Sequence, residues 1–196
     1  MKTFKWIVPS LAVVATVLWF SVGSATSAGP GGGHKLDTAH TAVYFRIQHL
    51  GMSYTYGRFN DVAGEVVVGG EGHESSFSFT IKAASIDTHN DKRDQHLRSP
   101  DFFNAKQYPV ITFKSTGAHA HGGKLHVNGD LTLHGVTKPI STMVTKMGEG
   151  KDPWGNYRVG YASEFTIKRS DFGMNKMLEA VGDEVELMMS FEVIAD

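Results

Sequence analysis

The run Ser-Phe-Ser-Phe-Thr-Ile-Lys at 76–82 puts Phe77, Phe79 and Ile81 on one side of an extended chain and Ser76, Ser78, Thr80 and Lys82 on the other. A period of two sends successive side chains to opposite faces of a strand, so one face suits a core and the other suits water. The pattern recurs along the chain: Val43, Phe45 and Ile47 share a face, as do Val185, Leu187, Met189, Phe191 and Val193. Applied throughout, it predicts eight strands, near 41–50, 58–68, 74–87, 109–120, 123–134, 138–148, 156–169 and 183–194. Gly69-Gly70, Gly122-Gly123 and Asp152–Asn156 read as tight turns between them, which makes neighbouring strands antiparallel.

Eight antiparallel strands with one apolar face either close into a barrel, which removes exposed sheet edges, or fold into a sandwich. A closed barrel of eight is wide enough for packed side chains or one slender ligand. An unbroken strand over 74–87 would be roughly 45 Å long at about 3.3 Å per residue, longer than a compact core requires. The expectation is an elongated apolar tunnel.

One stretch breaks the alternation. Residues 87–115 carry charges without period two, together with Leu97, Phe102 and Phe103. Thr88 followed by Asp91 has the form of a helix N-cap with an acidic third position, and Ser99-Pro100 has the form of a second N-cap. Two short helical turns are predicted, with Leu97, Phe102 and Phe103 towards the barrel and Asp91, Lys92, Arg93, Asp94 and Arg98 mostly towards solvent. Such an insert closes one barrel end, as a fixed plug or as a mobile lid.

The N-terminus obeys a different grammar. Lys2 and Lys5 precede an uncharged apolar run from Trp6 to about Val22, and small residues follow, as in a secretory signal peptide. Cleavage after Ala25 or Ala28 fits, and residues 1–28 are assigned to the leader. The apolar run approaches the length of an uncleaved anchor, but Pro9 and the Ser/Thr/Gly end favour removal, leaving no stable membrane anchor. Residues 29–34 form a glycine-rich lead-in and 35–196 one domain. Without Lys2 and Lys5 the chain has 17 basic and 20 acidic residues, no footprint for nucleic acid. It has no cysteine, which excludes disulfides, thiolate metal sites and a lipobox.

Several motifs in order then carry a resemblance: Arg93-Asp94 with His96-Leu97, Asp101-Phe102-Phe103, Tyr108-Pro109, Gly129-Asp130-Leu131-Thr132 and Arg169-Ser170-Asp171-Phe172-Gly173. From about Lys35 to its end the chain resembles the YceI-like family of exported bacterial lipid-binding proteins. The resemblance implies an all-β fold, an eight-stranded antiparallel, lipocalin-like barrel with a short helical insert capping one end. It also implies a long apolar ligand, a polyisoprenoid, quinone or fatty-acyl derivative, a periplasmic or secreted location, and a possible homodimer.

The expected tunnel-facing residues are Val43, Phe45, Ile47, Phe77, Phe79, Ile81, Phe113, Leu131, Leu133, Tyr161, Phe165, Ile167, Leu187, Met189 and Phe191. Leu97, Phe102 and Phe103 join them from the insert. Met174, with Met177 and Leu178, supplies flexible apolar side chains after Arg169, near an entrance. His49 continues the inward register of Ile47 towards a barrel mouth. Arg169 is expected to pair with Asp171 rather than to hold a ligand head group. Asp171-Phe172-Gly173 matches a kinase tripeptide, but no phosphate loop or catalytic loop accompanies it. His119, His121 and His126 fall on one face of the hairpin closed by Gly122-Gly123, where a polar surface is a simpler reading than a metal site. No metal, cofactor or catalytic residue is assigned. The function these features favour is a non-catalytic carrier of one long-chain amphipathic lipid; the alternative is an enzyme acting on an isoprenoid or quinone-type lipid.

Overall fold

The structure, a computed structural model, describes residues 32–69 and 75–195. The leader over 1–28, residues 29–31 of the lead-in and Gly70 of one predicted turn lie outside the described residues. Ten strands, β1 (Gly32–His49), β2 (Ser53–Phe59), β3 (Val62–Val68), β4 (Ser76–Lys82), β5 (Ile86–Asp87), β6 (Val110–His121), β7 (Lys124–Leu133), β8 (Val136–Lys151), β9 (Tyr157–Lys168) and β10 (Val181–Ala195), form one antiparallel sheet. The sheet closes because β10 pairs back onto β1. β2 and β3 together make one stave, as do β4 and β5, so the barrel has the eight staves that the alternation predicts.

Two predicted strands are interrupted at the same level. The stretch 58–68 breaks at Asn60-Asp61, and 74–87 breaks at a 3-10 turn over Ala83–Ser85. The breaks hold each other: Asn60 N–H donates to Ser85 O, Lys82 N–H to Asp61 O, and Asp61 N–H to the Ser85 hydroxyl. Serine and asparagine side chains compete with ladder hydrogen bonds, which is why alternation alone does not reveal such a corner. In the other direction β1 starts at Gly32, inside the segment read as a flexible lead-in, because Gly32–Lys35 pair with Glu65–Val68.

The insert holds one helix, α1 (Asp91–Arg98), rather than two. Its N-cap is Asn90, whose side chain accepts the Arg93 N–H at 3.0 Å, and not Thr88. Ser99 ends α1 instead of starting another helix: the residue before proline is driven out of the helical region, and Ser99 is extended at φ −73°, ψ 169°. Turns follow, with Phe103 N–H donating to Leu97 O and Asn104 N–H to Ser99 O, and they aim Phe102 and Phe103 at the barrel. Asp94, expected in solvent, is buried, accepting from the Thr88 N–H at 2.9 Å and from its hydroxyl at 2.5 Å. Arg98 fastens α1 to the broken stave through Ala84 O and Ile86 O, each at 2.8 Å.

Candidate functional site

Inward side chains divide the barrel into two levels. At the level away from α1, Leu36, Val66, Phe77, Val127, Val144, Val159, Tyr161, Phe191 and Val193 form a closed core. Phe191, only 1% exposed, stacks on Tyr161 at 5.4 Å and meets Phe79 and Phe77 edge-on at 5.2 and 6.4 Å. Burial pushes the Tyr161 hydroxyl up to about 12, since the charged form is excluded from the core. At the α1 level the same staves surround a cavity of about 390 Å³, within the usual range for small-molecule sites. The expected through-tunnel is therefore a blind cavity with an aromatic floor, because the far half is filled by rings.

At the open level two rings lie against the wall. Phe45 pairs across the ladder with Gly57, and a Cβ on Gly57 would overlap the Phe45 ring. A Cβ on Gly129 would likewise overlap the Phe113 ring and meet Lys114 O at 2.6 Å. Glycine in a strand interior weakens the strand but lets another group approach closely. Here the approaching groups are aromatic rings, which then do not fill the lumen.

His49, Arg93, His96 and Met177 line the cavity and are also exposed, so they mark its mouth, between the β1–β2 hairpin, α1 and the segment before β10. Every ionisable side chain on the cavity wall, Arg93, Arg169, His49 and His96, is basic, and all belong to this end. Arg93 is held by the Thr88 hydroxyl at 2.7 Å and Thr88 O at 2.6 Å, and His96 Nε2 lies 2.9 Å from Asp101. Arg169, 3% exposed, does not pair with Asp171. It donates to Gly182 O, Met174 O and Val181 O at 2.8, 2.6 and 2.7 Å, while the Asp183 carboxylate accepts from Ser170. Burial lowers the Arg169 guanidinium from its usual value, with the Asp183 charge opposing. Three carbonyls aimed at one fork thus tie the end of β9 to the start of β10.

All the residues predicted to face a tunnel lie on the cavity wall except Tyr161, which is buried in the floor behind Phe191. Phe59, Thr55, Ile111, Ile140, Thr142, Val144 and Ser163 also line it and were not singled out by sequence. Period two reaches Phe59, Ile140 and Val144, and it also puts Thr142 between Ile140 and Val144 and Ser163 between Tyr161 and Phe165 on the inward face; their polarity kept them off an apolar list. His119 pairs with His126 and His121 with Lys124, as the Gly-Gly turn requires. Those histidines do not form a ligand cluster; among the described residues the group that does is Asp37, His40 and Glu192. The Arg158 guanidinium already sits there, donating to Asp37, to Glu192 at 3.1 Å and to Asp152 at 2.8 Å, so the cluster closes on its own cation.

The family described as YceI-like domain matches residues 34–193. A UPF0312 protein of Photorhabdus laumondii is 41% identical over 189 residues, 95% of this chain and 96% of that one. Among solved structures, Burkholderia cenocepacia BcnA superposes with a TM-score of 0.72 at 26% identity, over 80% of this chain and 98% of its own. A polyisoprenoid binding domain from Saccharophagus degradans, implicated in plant cell wall breakdown, superposes at 0.65 and 19% identity, over 83% and 98%.

Proposed function

The chain belongs to the YceI-like family, and we propose that within it this protein is a non-catalytic carrier of one long-chain amphipathic lipid, a polyisoprenoid, quinone or fatty-acyl derivative. One observation carries the reading: half of a closed barrel is kept empty and apolar, with its charged lining gathered at a single mouth. Apolar burial contributes about 0.8 kcal/mol per methylene, so a chain in that cavity binds without strong head-group recognition. The polyisoprenoid binding of the Saccharophagus domain, which shares the fold, supports the class of ligand. Deep in the wall the hydroxyls of Thr142 and Ser163 hydrogen-bond to each other and not to a base, which favours binding over hydrolysis.

The working compartment in this reading is the periplasm or the exterior, supported by the leader grammar of residues 1–28. Among the described residues no helix is long and apolar enough to cross a membrane. The test is expression in the native envelope with the protein's own leader, detergent-free purification, and mass spectrometry of an organic extract. One long-chain lipid per protein is expected. Protein that carries no lipid, and that binds no acyl or prenyl probe when one is offered, contradicts the carrier reading.

A further inference from the structure

Just above the aromatic floor the apolar wall carries two hydroxyls. Thr142 and Ser163 are 9% and 6% exposed, line the cavity, and lie 2.7 Å apart, oxygen to oxygen. Their ladder neighbours on the wall are apolar: Val127 opposite Thr142, and Val144 and Met189 on either side of Ser163. Two hydroxyls have two protons, and a single hydrogen bond between them uses one. The acceptor of that bond keeps a second proton, which makes no further hydrogen bond among the described residues. A buried donor left unmade costs more than a made hydrogen bond contributes, and apolar residues of the same shape would avoid the cost. The pair is thus poised to donate into the cavity at its blind end.

Resting on the carrier reading, we propose that the ligand enters oxygen-first and that Thr142 and Ser163 donate one hydrogen bond to a neutral carbonyl oxygen beside Phe79 and Phe191. A quinone ring carbonyl and an acyl ester or amide carbonyl share this chemistry. An ionised carboxylate or phosphate does not suit the floor, because one hydroxyl proton does not compensate a buried charge and the basic lining residues lie at the mouth.

The experiment compares wild type, Thr142→Val, Ser163→Ala and the double variant against paired probes. An alkylbenzoquinone is paired with the alkylbenzene of equal chain length, and a fatty-acid methyl ester with its parent alkane. Affinities are read by displacement of a fluorescent acyl probe, and stability by thermal unfolding in parallel. The double variant is expected to stay folded with an unchanged or higher Tm, and to lose about five- to twentyfold in affinity for one or both carbonyl probes, on the scale of one hydrogen bond. Its affinity for the two hydrocarbons stays the same or rises. Each single variant keeps one hydroxyl proton and loses less. The carbonyl probe that responds identifies whether a ring or an acyl oxygen is seated. Equal affinities of wild type and double variant for all four probes, or equal losses for carbonyl and hydrocarbon, overturn the assignment while leaving the carrier reading standing. Failure of wild type to bind any probe overturns both.

Discussion

The two levels of the barrel are made from the same staves and the same alternation, yet one is solid and the other hollow. In the floor level Phe191 stands among Tyr161, Phe79 and Phe77 and fills the lumen. In the cap level Phe45 is laid against Gly57 and touches Phe59 at 5.8 Å, and Phe59 meets the edge of Phe103 at 5.7 Å. The inward residues are equally apolar at both levels, so hydrophobicity does not decide which half is empty. Nor does glycine alone: Phe45 lies against Gly57 in the cap level, but the floor ring Phe79 lies against Gly64 in the same way, and what closes the floor is Phe191 packed among Tyr161, Phe77 and Phe79.

The two levels are also fastened differently. The floor end is held by ion pairs, one guanidinium, Arg158, meeting Asp37, Asp152 and Glu192 and joining β1, β9, β10 and the β8–β9 turn. The cap end is held by arginines on backbone carbonyls, Arg98 on Ala84 and Ile86 and Arg169 on Met174, Val181 and Gly182. One shared guanidinium thus gathers three carboxylates at the floor, whereas the mouth adds carbonyl-bound arginines to separate ion pairs such as Arg46–Glu186 and Arg58–Asp87.

The largest effect that separates the levels is a ring deletion. Phe191→Ala is expected to lower unfolding stability by about 3–5 kcal/mol, because it empties a filled level. Phe103→Ala, on the wall of a cavity that already exists, is expected to cost about half as much or less; urea unfolding of both variants decides, and equal losses would erase the distinction between floor and cap. Next comes Arg158→Met, which leaves three carboxylates without their cation. A smaller loss than that of Phe191→Ala is expected in the same urea unfolding, because the group is partly open to water.

A smaller change tests the contact between Gly57 and Phe45. Gly57→Ala should drive the Phe45 ring into the lumen, reducing affinity for a fluorescent acyl probe about three- to tenfold at a stability loss of about 1–2 kcal/mol. Unchanged probe binding in a folded variant would show that the ring has another way out. The smallest expected effect is acid sensitivity. The Arg158 guanidinium, then His40, holds the Asp37 carboxyl down to about 2. Its charged form is favoured in the folded state, so its contribution is complete above about pH 4, the unfolded value, and fades as pH falls towards 2. Tm plotted against pH over that window should fall less steeply in Asp37→Asn than in wild type.

Period two was enough to read the eight staves, their antiparallel order and nearly all the cavity wall, because a half-buried strand writes its burial into every second residue. The corner at Asn60-Asp61 and Ala83–Ser85 was not legible, since it depends on hydrogen bonds between two strands rather than on either sequence. The blind floor was missed for the same reason: Tyr161 and Phe191 are inward in any reading, and only their stacking shows that one lies behind the other. Arg169 misled because a carboxylate two residues away is a plausible partner in sequence, whereas the fold offers it three carbonyls from the chain that follows. The glycines at 57, 64 and 129, each opposite or diagonal to an inward phenylalanine once the register is known, mark where a ring lies against the wall but not which level is open.

In the proposed carrier the cap level, and not the floor, holds one lipid chain. A crystal structure of the protein with a fatty-acyl ester brominated in mid-chain measures this directly through the anomalous scattering of bromine. One chain per protein is expected, with bromine between Leu131, Phe165 and Leu187 on the α1 side of Phe191. Bromine on the outer face of the sheet, or beyond Phe191 among Tyr161 and Val193, would contradict it.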